Sequence, residues 1–82
     1  MDIARSDVVR SAAGRDRGDL FFVLEIHGDF LLLADGRRRR VERPKRKKRR
    51  HVEAGGAPHT RTAEKIRCGE PVTNSELRRT LA

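Results

Sequence analysis

Residues 20–34 read LFFVLEIHGDFLLLA, and the architecture of the chain follows from how this stretch alternates. In an extended backbone successive side chains point to opposite faces, so Phe22, Leu24 and Ile26 share one face. Phe21 and Val23 share the other with Glu25 and His27. Gly28-Asp29 separates the two apolar runs by two residues. This is a hairpin signal, because glycine reaches the positive φ that such turns require. The spacing predicts strands over 20–27 and 30–34, with a second turn at Asp35-Gly36.

Working outward, residues 14–19 (GRDRGD) form a polar turn cluster, and residues 7–11 (DVVRS) form a short β-prone segment before it. Beyond Gly36, Val41 stands alone among arginines and suggests a fourth strand at about 39–43, which Pro44 interrupts or confines to an edge. Residues 48–53, with His51 and Val52, suggest a fifth. Five short strands joined by tight turns bury their apolar faces most economically in a small, strongly bent barrel. A three-stranded meander with a disordered basic tail is the alternative, and it would leave Val41 and Val52 exposed.

The fold class expected is therefore mainly β. Residues 1–53 make the barrel, residues 54–72 a linker or irregular extension beginning AGGAP, and residues 73–82 a short helix. Thr73 and Glu76 have capping-box spacing at the start of that helix. Leu77 and Leu81 lie on one side of it, so it must dock on the barrel or on a partner to be stable.

Composition narrows the functional classes. The chain has 82 residues, enough for one domain, and lacks Trp and Tyr, so its core must be aliphatic with help from Phe21, Phe22 and Phe30. Cys68 is the sole cysteine, which excludes an internal disulfide and a cysteine-rich zinc site and fits a reducing, cytoplasmic setting. The longest apolar run, 30–34, is too short for a bilayer, and the N-terminus lacks the hydrophobic stretch of a signal peptide.

Charge is concentrated in one place. Residues 37–50 read RRRRVERPKRKKRR, eleven bases and one acid. With twenty bases and twelve acids in the chain, the remaining 68 residues hold nine bases against eleven acids and are slightly acidic. Such a run repels itself and calls for a polyanion, of which nucleic acid is the commonest, since each neutralised phosphate releases counterions. Arg37, Arg38, Arg39, Arg40, Arg43, Lys45, Arg46, Lys47, Lys48, Arg49 and Arg50 are the phosphate-binding candidates. Strand alternation would send Lys45, Lys47 and Arg49 to one face and Arg46, Lys48 and Arg50 to the other, with phosphate on both. His51 is a hydrogen-bond donor beside the run. Arg15 and Arg17, in the Gly14–Gly18 loop, are a second tier, with Asp16 and Asp19 at hand to pair with them. A membrane-surface role does not fit, because no amphipathic apolar face accompanies the charge.

Taken in order, the short strand, SAAGRDRG, the apolar strand, the tight turn, the second apolar strand, the DG turn and the basic R-x-E-x-P-K-R-K-K run resemble a KOW motif. Over residues 3–52, with an echo in SELRRTLA, the chain resembles small bacterial KOW domain-containing RNA-binding proteins. These are similar to a KOW-type large-subunit ribosomal protein of archaea and eukaryotes. Gly14 and Gly18 match the glycines bracketing the family's first loop, Ala13, Arg15 and Arg17 its small and basic positions, and Asp35-Gly36 its turn after the third strand. The resemblance implies an SH3-like β-barrel that binds RNA, in particular rRNA of the large ribosomal subunit, with ribosomal proteins as neighbours.

No catalytic pairing is legible. His27, His51 and His59 lie far apart with no cluster at metal-ligand spacing, and Cys68 has no base near it in sequence. The Gly14–Gly18 loop lacks the Gly-Lys-Ser/Thr of a P-loop. No cofactor, metal or small-molecule substrate is expected. With all three phenylalanines assigned to the core, recognition would rest on the shape and phosphates of folded RNA and not on base stacking. Two other classes remain open: a nonspecific DNA or nucleoid-binding protein, and an SH3-like adaptor whose basic run or Leu77/Leu81 face engages another protein.

Overall fold

A computed structural model of the chain describes residues 2–82. Its strands are β1 (Val8–Ser11), β2 (Leu20–His27), β3 (Phe30–Ala34), β4 (Lys45–Lys48) and β5 (Val52–Ala54). A 3-10 turn, Arg49–His51, joins the last two strands, and helices α1 (Arg61–Arg67) and α2 (Asn74–Leu81) follow. All pairings are antiparallel, in the order β4-β3-β2-β1-β5. The protein is mainly β, one five-stranded sheet with two C-terminal helices.

The central hairpin forms as its sequence predicts. Gly28 takes φ +60° in the turn, and His27 faces Phe30 across it. Strict alternation does not survive along β2, however. Val23 pairs with Leu33 and Glu25 with Leu32, so Leu24 is an extra, bulged residue. The bulge moves Ile26 to the face of Phe21 and Val23, where it packs, instead of the face of Phe22 and Leu24.

Four Cα–Cα steps carry the chain from Lys48 to Val52, a span of at most about 15 Å. Flat strands at this order would hold β4 and β5 about 19 Å apart. The sheet is therefore strongly curled, and its inner face encloses Ile3, Val9, Phe21, Val23, Leu31 and Leu33. The fourth strand lies at 45–48 and not at 39–43, where the chain makes turns instead. Pro44 immediately precedes it, at a position where its missing N–H costs no ladder bond. Val41 packs against the helix-side cluster and Val52 against the inner one. The basic run is thus built into the fold and is not a tail.

Both helices lie on the outer face, where Ala63, Ile66 and Leu77 close over Phe22 and Ala34. Residues 61–67 are helical where an irregular extension was expected. Thr60 caps the helix by accepting from Ala63 N at 3.2 Å, and Thr62, Ala63 and Ile66 form its buried side. Seven residues are too few for this periodicity to stand out in sequence. In α2 the capping box is complete: Thr73 Oγ1 accepts from Glu76 N at 3.1 Å and Glu76 Oε1 from Thr73 N at 2.9 Å. Lys65 Nζ donates to Glu76 Oε2 at 2.9 Å and ties α1 to α2. With the Thr73 amide it draws the Glu76 carboxyl down to about 2.

Gly36 is where α2 meets the turn after β3. Its φ is +79°, and a Cβ there would overlap the Asn74 carbonyl. Gly36→Ala is expected to destabilise the protein by at least about 2 kcal/mol through strain and overlap, a fall in Tm of roughly 10 °C in a thermal melt. A fall under about 2 °C would mean that the turn and α2 are not packed in this way.

Candidate nucleic-acid interface

The run 37–50 divides into two structural settings. Residues 37–43 form a turn whose backbone is held internally. Asp35 Oδ1 accepts from Arg37 N (2.8 Å) and Arg39 N (3.0 Å), and Arg39 O accepts from Asp35 N (2.9 Å) and Gly36 N (3.0 Å). Helix α2 grips the same turn. Asn74 Oδ1 accepts from Val41 N (2.8 Å), Asn74 Nδ2 donates to Glu42 Oε1 (2.7 Å), and Arg78 Nη1 donates to Gly36 O (2.7 Å). With the backbone satisfied from within, Arg37, Arg38, Arg39, Arg40 and Arg43 are left exposed. Their ion pairs are weak. Arg38 lies 3.9 Å from a half-buried Asp19 and Arg40 3.5 Å from Glu42, with both arginines largely in solvent.

Residues 45–48 are a strand at the sheet edge, and its register settles where each base goes. Lys45 and Lys47 face Leu33 and Leu31, on the inner side; Arg46 and Lys48 face Leu32 and Phe30, on the outer side. The expectation of phosphate on both faces is therefore corrected. The Lys47 side chain is only 8% exposed, and its Nζ donates to Ala13 O (2.8 Å) and Asp16 Oδ1 (3.0 Å). Lys45 Nζ lies 2.8 Å from Asp16 Oδ2. Ser11, buried on the same face, donates to Asp16 Oδ1 at 2.6 Å. Burial would raise the Asp16 pKa, but bonds from Lys45, Ser11 and Lys47 outweigh it and hold the carboxyl well below the ordinary carboxylate range. Lys47 is thus internal and Lys45 half-buried, and the Gly14–Gly18 loop supplies their counter-charge.

That pairing leaves Arg15 and Arg17 exposed, with no ion-pair partner among the described residues; of the two roles open to them, pairing with Asp16 or Asp19 is not the one the structure forms. The loop and the arginine turn meet: Arg15, Arg38, Arg39 and Lys45 converge on a shallow cleft of about 320 Å³, with Asp16 and Asp19 in its wall. The strand ends at Lys48, so Arg49, Arg50 and His51 do not continue its alternation. They lie in the 3-10 turn, with Arg50 exposed and Arg49 and His51 half-buried. The His51 carbonyl accepts from Ala12 N at 2.8 Å.

Phe30 is the second correction. Phe21 and Phe22 are buried, one in each cluster, but Phe30 is only half-buried on the outer face beyond the reach of the helices. The Arg46 guanidinium lies 3.8 Å from its ring centroid and Lys48 Nζ 5.9 Å. Sequence missed this contact because strand pairing alone brings residues 30 and 46 together.

The arrangement presents cations to solvent from an anchored backbone, and it holds no group of three or more His, Cys, Asp or Glu able to bind a metal among the described residues. No helix among the described residues is long and apolar enough to cross a membrane. Comparison with known protein families and with curated proteins returns no match.

Proposed function

We propose that this chain is a non-enzymatic RNA-binding module that holds folded RNA by its phosphates, with rRNA of the large ribosomal subunit as its target in the cytoplasm. The observation that carries the reading is the exposure of Arg37, Arg38, Arg39, Arg40 and Arg43 on a turn whose backbone is fixed by Asp35, Asn74 and Arg78. An anchored backbone lowers the cost of ordering the turn on phosphates, and planar guanidinium donors suit bidentate contact. Arg15 across the cleft, and Arg46, Lys48 and Arg50 further along, extend the cationic track. The curled sheet and its strand order support an SH3-like barrel of KOW type, the fold that the sequence resemblance implies.

Binding to structured RNA should weaken steeply with salt. If about six phosphates are neutralised, the log–log slope is about −4 to −5, and structured RNA outcompetes duplex DNA by more than about tenfold, because A-form and B-form grooves differ. Equal competition by DNA would replace this reading with a general nucleic-acid binder; a slope near zero would remove the cationic track from the interface. In host lysate on a sucrose gradient, the protein should sediment with the large subunit and leave it as salt rises. A position at the top of the gradient at every salt concentration would refute the ribosomal target.

A further inference from the structure

At the hairpin end the cationic track meets an aromatic ring that phosphate binding alone does not use. Phe30, Asp29, Lys48, Arg49 and Arg50 line an open cleft of about 470 Å³, in which Phe30 is the one apolar side chain. Three of these five residues are cationic. Arg46 lies against the Phe30 ring on the same outer face, and Arg49 Nε is buried without a partner among the described residues. The helices cover Phe22 and Ala34 but leave this part of the sheet open.

A chain of this size has few apolar side chains to spare, and its other two phenylalanines are fully buried. An aromatic ring in a cationic cleft is complementary to a ligand that joins a flat π surface to a negative charge, which describes a nucleotide with its base unstacked from a helix. The Arg46 guanidinium, 3.8 Å from the ring centroid and outside the cleft's lining, holds the ring in place by a cation–π contact. The volume lies within the range of ligand sites and admits a single nucleotide. We infer that this cleft seats one unpaired RNA nucleotide, its base against Phe30 and its phosphate toward Lys48 and Arg50. The inference rests on the RNA-binding reading and adds to it a preference for RNA with an unpaired base over an uninterrupted duplex.

The protein lacks Trp and Tyr, so Phe30→Trp installs the only indole and reports on the cleft directly. Emission should be quenched by an RNA hairpin bearing a single-nucleotide bulge, and should change little with a fully paired hairpin or with inorganic polyphosphate at saturating binding. The unaltered chain should bind the bulged hairpin about fivefold or more tightly than the paired one, the contribution of one stacked base. Phe30→Leu, at a half-buried position, should lose that preference while still binding the paired hairpin. Saturable binding without quenching, equal affinity for both hairpins, or a preference retained in Phe30→Leu would overturn the nucleotide seat and leave phosphate binding standing. Failure to bind either hairpin would overturn both.

Discussion

Replacing Arg37, Arg38, Arg39 and Arg40 together with glutamine should lower affinity for structured RNA by about a hundredfold or more at physiological salt, and should reduce the log–log salt slope by about three. The reason is local. These four side chains are exposed on a turn whose backbone bonds do not involve them, so glutamine removes charge without disturbing the turn. Their ion pairs to Asp19 and Glu42 are solvent-screened, so stability should change by no more than about 0.5 kcal/mol. Titration of labelled RNA at several salt concentrations, with a melt of each variant, separates the two effects. Undiminished affinity in a folded quadruple variant would move the interface away from the turn.

Asp16→Asn should act in the opposite sense, costing the fold and sparing the proposed RNA contacts. Asp16 alone answers two lysine ammonium groups, and asparagine would leave both without counter-charge on the inner face. The cost should be about 2–3 kcal/mol, below that of a fully enclosed pair because the Lys45 side chain remains 25% exposed. Tm should fall by roughly 10–20 °C. Lys47→Met should cost much less, since it leaves one lysine facing one carboxylate. The pH dependence follows from the depressed Asp16 pKa. Its contribution is present above the unfolded carboxylate value of about 4, and is lost as pH falls from there toward the lower folded value. The stability gap between the unaltered chain and Asp16→Asn should therefore narrow below about pH 4. A gap independent of pH, or a change in Tm under about 3 °C, would mean that the Asp16–lysine cluster does not support the fold.

Features written in adjacent residues were legible in the sequence. The Gly28-Asp29 turn, the strands beside it and the Thr73–Glu76 capping box each depend on a few neighbouring side chains. The bulge at Leu24 was not legible, because period two continues unbroken through LFFVLEIH and only pairing with β3 reveals the extra residue. The division of the basic run was hidden for a related reason. Lysine in a charged run reads as solvated, yet Lys47 meets its counter-ion 31 positions away through the curl of the sheet. That same curl and the strand pairing decide which candidates remain available. Arg15 and the arginine turn come together, Lys45 and Lys47 turn inward, and Phe30 emerges from the core to which composition had assigned it.

Phe22 and Ala34 are covered by residues that come much later in the chain, Ala63, Ile66 and Leu77. During synthesis the hairpin β2–β3 can close as soon as it emerges, since its contacts are local and form in microseconds. Its outer apolar patch must then wait for the last helix to be translated. Through that interval the nascent chain shows bare phenylalanine beside an arginine turn held only by its own Asp35 and Arg39 bonds, because Asn74 and Arg78 have not yet arrived. Truncation before α2 would make this transient state permanent, leaving a sticky, cationic fragment in place of the folded domain.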